Sequence, residues 1–279
     1  MTYQRLYQPK VKTGNWLEEL HLKEDTMKDF LNKRERGELL SQKVDFLKQN
    51  ILSPVNLSAT INGELRFGDV VMLVNVGGKD REHSALSINA NVDNLTKTFP
   101  PSIKMPCGVS AGKGIQACIR TAFIITSVDG SPEQSTLHYD QSFALRTTSG
   151  FAKGLYLTSD KPRFLKTAKK SGLQDVYLDE TLSALSWWKI SHFDPQERFE
   201  SEGLPVPANE KVLVVHTMTN EGLAVLSEKL LWTAYGREYE VVAHTFLDTH
   251  RAEQDVNFWI LGTSDPAGEG LLFLRHLQL

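Results

Sequence analysis

Three stretches of the chain hold residue types whose spacing could support chemistry. Gly108-Val109-Ser110-Ala111-Gly112-Lys113-Gly114 has the look of a phosphate-cradling loop. Such a loop needs one more residue before its Gly-Lys pair, and a Ser or Thr hydroxyl after it to hold magnesium. Gly114 stands where that hydroxyl belongs, and no strong strand precedes the segment, so it reads as a turn-rich loop without a nucleotide. His244-Thr245-Phe246-Leu247-Asp248-Thr249-His250 gathers two imidazoles and a carboxylate, and His216 is placed to join them if the chain repeats. The spacing of His244 and His250 fits neither a helical i, i+4 metal pair nor a tight turn. Val241-Val242-Ala243-His244 reads instead as a strand entering a loop braced by hydrogen-bonding histidines.

The third stretch, Lys161-Pro162-Arg163-Phe164-Leu165-Lys166-Thr167-Ala168-Lys169-Lys170, holds five cations and no acid. On a loop, Lys161, Arg163, Lys166, Lys169 and Lys170 would contact phosphate groups or an acidic protein surface, with Phe164 as an apolar anchor. The plain alternative is a solvated basic loop. Nucleophilic chemistry finds no support: there is no Gly-x-Ser-x-Gly elbow, and Cys107 and Cys118 carry no family signature around them. Their spacing builds neither a CxxC metal site nor a disulfide framework, so both read as reduced, small apolar side chains. Neighbouring carboxylates such as Asp179-Glu180 and Glu18-Glu19 are ordinary in a chain of this acidity. The expectation is a protein without catalysis, cofactor or metal.

Composition narrows the partners. Lys and Arg number 31 against 34 Asp and Glu, so the formal net charge of −3 gives no field that would gather polyanions, and nucleic acid is disfavoured. The N-terminus, Met1-Thr2-Tyr3-Gln4-Arg5-Leu6-Tyr7, lacks the apolar region of a secretory signal, and no run is long enough to span a membrane. A soluble, intracellular protein is expected, in which Asn56-Leu57-Ser58 and Asn94-Leu95-Thr96 are chance matches to the glycosylation pattern.

The elements that must position these residues change character near Pro54. From Glu24 to Leu52 mixed charges surround apolar residues at helical spacing (Met27, Phe30, Leu31, then Leu40, Val44, Leu47, Ile51), which predicts two short helices broken near Gly37. Upstream, Trp16 stands in a polar arm. After Pro54, short alternating strands take over and recur about every 70 residues, a longer period than solenoid repeats show. Gly68–Val74, Gln141–Leu145 and Glu210–His216 open the three segments, and Ala85–Ile88, Gly154–Leu157 and Gly222–Val225 follow as second strands. Each segment closes on an aromatic-x-aliphatic pair: Phe123 and Ile125, Trp188 and Ile190, Trp259 and Leu261. Three four-strand units predict a mainly β, β-trefoil-like domain over 56–265, with an arm and helices at 1–55 and an apolar tail at 266–279. Inserted loops at 77–82, 90–97 and 161–172 would account for the long period. An irregular β-sandwich is the competing architecture.

Taken together, these residues resemble the cilia- and flagella-associated protein 161 family. The resemblance lies in Gly14-Asn15-Trp16, Met27-Lys28-Asp29-Phe30-Leu31 with Lys33-Arg34, Gly68-Asp69, Met72-Leu73-Val74-Asn75 and Pro106-Cys107-Gly108. It continues through Leu155-Tyr156-Leu157, Gly203-Leu204-Pro205-Val206-Pro207-Ala208-Asn209, and Val241-Val242-Ala243-His244 with Asp248, His250 and Arg251. It implies a MIR-type trefoil acting as a microtubule inner protein on the luminal wall of the A-tubule of axonemal doublets. The implied partners are α- and β-tubulin and other inner proteins, with no catalysis and no membrane. Contacts are expected from Trp16, Lys33 and Arg34 on the N-terminal side and from the 161–170 basic loop. The chain departs from the family pattern at Leu271-Leu272-Phe273-Leu274, where a polar tail is expected. A trefoil could instead hold an inositol phosphate or a sugar on its loops, and the fold alone does not choose.

Overall fold

A computed structural model describes residues 16–60, 62–77, 82–97, 100–162 and 166–264, the side chain of Trp16 excepted. The chain divides into two compact units, Met1–Lys48 and Gln49–Leu279. In the first, helix α1 spans Trp16–Glu35, and α2 (Leu40–Ile51) begins after a short turn. Gly37 stops α1 by adopting a left-handed φ of 69°, a conformation that glycine enters at the least conformational cost. Glu38 N–H then reaches back to Lys33 O at 2.8 Å and Gly37 N–H to Arg34 O at 3.2 Å, the paired bonds of a Schellman cap.

The break near Gly37 is where the spacing placed it, but the helix starts at Trp16 and not near Glu24. The reason is continuous helix-forming chemistry from Leu17 to Asp25, with Glu18 and Glu19 set favourably against the N-terminal end of the helix dipole. The apolar stripe is not covered: Met27 is 59% and Phe30 46% exposed. Gly14, Asn15 and the 266–279 tail lie outside the described residues.

Among the described residues the second unit contains twelve strands: β1 (Val70–Asn75), β2 (Ser84–Asn89), β3 (Cys107–Gly112), β4 (Ala122–Ser127), β5 (Ser142–Thr147), β6 (Tyr156–Ser159), β7 (Gln174–Asp179), β8 (Trp188–His192), β9 (Lys211–His216), β10 (Glu221–Thr233), β11 (Gly236–Ala243) and β12 (Phe258–Gly262). The first and last strand of each repeat form a closed antiparallel ring. β1 pairs with β4, β4 with β5, β5 with β8, β8 with β9, β9 with β12, and β12 with β1. The middle strands make three hairpins, β2–β3, β6–β7 and β10–β11, whose inner members pair in a second ring, β3 with β7, β7 with β11 and β11 with β3. A six-stranded barrel capped by a hairpin triplet is a β-trefoil, and the two closed rings exclude the sandwich.

Register makes the internal symmetry explicit. Phe123 lies opposite Val71 and Thr147, Trp188 opposite Phe143 and His216, and Trp259 opposite Val212 and Asn75. All nine side chains are fully buried. The indoles cannot be buried without a partner for their N–H. Trp188 donates to Leu157 O and Trp259 to Leu223 O, each at 2.8 Å, whereas phenylalanine at 123 needs none.

The polar member of each trio braces a loop. Asn75 donates to Val256 O and Phe258 O, Thr147 donates to Ala152 O, and His216 joins Thr219 Oγ1 at 2.8 Å and Leu185 O at 2.9 Å. Gly77 is required here, because a Cβ would sit 2.0 Å from Asp255 O. Most of segment 108–114, expected as a turn-rich loop, instead belongs to strand β3. Its glycines hid the strand pattern, and pairing on both sides supplies the stability that propensity does not.

Trp188→Ala and Trp259→Ala should each destabilise the barrel by about 3–5 kcal/mol in denaturant unfolding. Near-native stability in either variant would contradict the shared-core geometry. Burial holds the pKa of His216 below the ordinary 6.5. The unfolded chain therefore takes up a proton that the folded one refuses, so stability should fall as pH drops below about 6.5 and level off once below the lower folded value. Replacing His216 with glutamine should flatten that part of the stability–pH curve.

Candidate functional site

The basic loop runs from the end of β6 to the start of β7 and forms one wall of a cleft of about 780 Å³. Opposite stands the outer part of the β10–β11 hairpin, with Leu231 and Trp232 facing the opening. The floor comes from Cys107–Val109 on β3, Val176 and Tyr177 on β7 and Val241 on β11. The hairpin triplet thus brings together segments that the sequence keeps far apart.

Of the residues expected to bind partners, Lys166, Lys169 and Lys170 line this cleft. Lys166 is engaged within the protein. Its Nζ donates to the Tyr177 hydroxyl at 2.8 Å, lies 4.6 Å from the centre of that ring, and pairs with Asp160 at 3.5 Å. Lys169 and Lys170 are exposed and make no ion pair among the described residues. Their loop is held through its backbone, since the buried Glu240 accepts the N–H groups of Lys170 and Ser171 at 2.8 and 2.9 Å.

Lys161 is exposed on the same loop, while Arg163 and Phe164 lie outside the described residues. Lys33 and Arg34 belong to α1 in the other unit. Lys33 pairs with Asp29 one turn earlier at 2.7 Å, and Arg34 serves through its carbonyl, which accepts from Gln42. Trp16 opens α1.

Sequence reasoning missed the opposing wall. β10 was expected only at Gly222–Val225, yet it continues to Thr233 across a bulge between Leu226 and Leu230. The extension carries Trp232, 76% exposed, with Arg237 stacked 4.6 Å over its ring. The apolar run Leu230-Leu231-Trp232 and the alternation over 237–241 were the available signal; the polar Ser227-Glu228-Lys229 bulge masked their continuity with β10.

A buried ion pair fixes the base of this arm. Arg120 Nη2 meets Glu238 Oε2 at 2.6 Å, Ser110 Oγ donates to the same oxygen at 2.8 Å, and Arg120 Nε donates to Ile88 O at 2.9 Å. The guanidinium lies 3.8 Å from the centre of the Tyr235 ring, and the Tyr235 hydroxyl donates to Ala90 O at 3.1 Å. Burial pushes the Tyr235 phenol up to about 12, so it remains a donor at physiological pH. Gly112 permits this approach, because a Cβ there would come within 2.9 Å of Glu238 Oε1.

The other candidate chemistry is dispersed. His216 lies against Trp188, with ring centres 5.0 Å apart, whereas His244 faces Glu221 at 3.6 Å and packs edge-on to Phe246. Asp248 accepts backbone N–H groups from His250 and Ala252. These are loop braces. Among the described residues no three His, Cys, Asp or Glu side chains gather in a metal-binding group. Both cysteines are buried and free, and burial raises the Cys107 thiol to about 12, leaving it protonated on the cleft floor. A second depression of about 320 Å³ contains the ion pairs Lys189–Asp140 and Arg198–Glu253, at 2.7 and 2.6 Å, so its charges are matched internally. No described helix is long and apolar enough to cross a membrane.

Fold and cleft define a β-trefoil with an open cleft beside its hairpin triplet. The SDF2-like protein from Arabidopsis thaliana shares the fold at a TM-score of 0.50 and 18% identity, over 71% of this chain and 93% of that one. A Caenorhabditis elegans protein described as of unknown function does so at 0.52 and 14%, over 74% and 99%.

The chain belongs to the cilia- and flagella-associated protein 161 family: the description "Cilia- and flagella-associated protein 161-like domain" matches residues 43–264. The family protein of Danio rerio is 48% identical over 285 residues, covering 100% of this chain and 95% of that protein. Those of Bos taurus and Mus musculus are each 41% identical, covering 94% of this chain and 84% and 90% of theirs.

Removing one partner of the buried pair, as in Arg120→Met, should cost about 3–5 kcal/mol by stranding the Glu238 carboxylate. The double variant Arg120→Met/Glu238→Leu should recover much of that loss. A double variant at least as unstable as the single one would show that the pair is not energetically coupled in this way.

Proposed function

We propose that this chain is a structural microtubule inner protein, bound to the luminal wall of the A-tubule of axonemal doublets and stabilising the axoneme for motility. Membership of the family along nearly the whole chain carries this reading. Its partners on this reading are α- and β-tubulin and neighbouring inner proteins, and its place is the cytoskeleton of the cilium or flagellum. It acts without catalysis, cofactor, nucleic acid or membrane.

The physical features fit such work. A doubly closed β-structure gives a contact surface of fixed shape, suited to a repeating lattice. A near-neutral net charge suits contacts made by shape and local polar pairs. The exposed Met27 and Phe30 on α1, with Trp16, Lys33 and Arg34, are proposed to dock the 1–55 segment on a neighbour. The lysine loop, Lys161, Arg163, Phe164, Lys166, Lys169 and Lys170, is proposed to contribute contacts from the 56–265 trefoil. A soluble trefoil binding an inositol phosphate or sugar is the rival, favoured by the lysines at the cleft.

Fractionation separates the two. The docked protein should stay with axonemes through high-salt washing, whereas a soluble binder should be released. Deleting residues 1–35 should leave the melting temperature of the trefoil unchanged and abolish incorporation. Full incorporation of the deleted chain would remove the helical segment from the docking role.

A further inference from the structure

We infer that the cleft between the lysine loop and the β10–β11 arm is a docking groove for an extended acidic segment of a partner polypeptide carrying an apolar anchor. The inference deepens the docking role proposed above and rests on it for where that partner resides. Charge is the first argument. Glu240, a carboxylate lining the cleft, is buried and spends its oxygens on two backbone N–H groups, and Asp179 Oδ1 accepts the N–H of Thr181. The amines of Lys169 and Lys170 face outward without an ion pair among the described residues, and Arg237 adds a cation beside Trp232. Asp175 also lines the cleft and, like Asp179, is half-buried, so the exposed charges of the lining are its lysines, and these complement an acidic occupant.

The second argument selects a polypeptide over a small anion. The groove has an apolar lining at Val109, Val176, Leu231 and Val241, on which an inositol phosphate has nothing to place. Trp232 and Leu230 stand 76% and 43% exposed on the arm. β10 pairs with β9 only at Glu221 and Gly222, so the other edge of Leu230–Thr233 faces no strand among the described residues. An exposed apolar edge strand is a hazard unless something pairs with it, and an extended segment would do so through its backbone while its side chains reach Trp232. The Arg120–Glu238 anchor holds the arm ready in that position, which lowers the ordering cost of binding.

The test uses the full chain and a synthetic seven-residue peptide of alternating glutamate and leucine with a central phenylalanine. Its titration should shift tryptophan emission saturably and weaken with added salt. W232S should lose that shift, and both W232S and K169E/K170E should weaken binding about tenfold or more with melting temperatures unchanged. A saturable response to inositol hexakisphosphate with none to the peptide would overturn the inference, as would peptide binding indifferent to both variants.

In isolated axonemes, Lys169, Lys170 and Trp232 should be protected from acetylation and oxidative labelling relative to the free protein. A carbodiimide should join the two lysines to carboxylates of a neighbouring chain. A chain retained after salt washing but labelled at these residues as fast as the free protein would overturn the groove and leave the docking role standing. A chain that washes out of axonemes yet binds the peptide would do the reverse.

Discussion

Closure of the barrel at three equivalent points is the constraint on which the rest depends. Each repeat must place one large side chain opposite an apolar residue on its own first strand and a polar one on the next repeat's first strand. Phe123, Trp188 and Trp259 fill these places with full burial. A single repeat could not shield such a residue from water, so the three units are stable only as a set. The polar partners Asn75, Thr147 and His216 differ in chemistry but share a task, tying the strand end to a nearby loop through backbone carbonyls.

The hairpin triplet follows from that closure and departs from strict symmetry where binding features arise. Two departures face each other. The third hairpin is longer than the others, and the second carries the basic loop before its inner strand. Rigidity on the first side comes from a buried guanidinium and carboxylate that make further hydrogen bonds with Ser110 and Ile88. A buried pair of this kind adds little net stability over an apolar core, but it specifies one orientation of the arm. On the second side Glu240 does similar work with main-chain donors. Buried acids thus set the two walls, and the exposed cations and Trp232 are left to the surroundings.

Net charge by itself would have hidden this local pattern. An overall −3 suggests no preference for charged partners, yet the fold separates charges by burial, keeping Glu238 and Glu240 inside and Lys169 and Lys170 outside. The same sorting explains why histidines clustered in sequence produce no shared site. The His244 ring faces Glu221, His250 is held through its backbone N–H to Asp248, and His216 is turned into the interface with Trp188.

Local pattern was enough to determine the three-fold repeat, the strands that open and close each unit and the helix break at Gly37. These rest on short-range rules: alternation puts residues on one strand face, and glycine enters the left-handed cap without a Cβ penalty. Residue patterns along nearly the whole chain were likewise sufficient to bring the family into view. Strand β3, with its Gly108 and Gly112, was not legible, because its conformation is imposed by β2 and β7 and not by its own propensities. Nor was the outer half of β10, which is carried past its bulge by pairing with β11. The cleft is likewise a tertiary product. Lys169 lies far along the chain from Trp232 and Cys107, and only the cyclic pairing of β3, β7 and β11 draws them to one opening, since closing a ring of strands sets distances that no local stretch encodes.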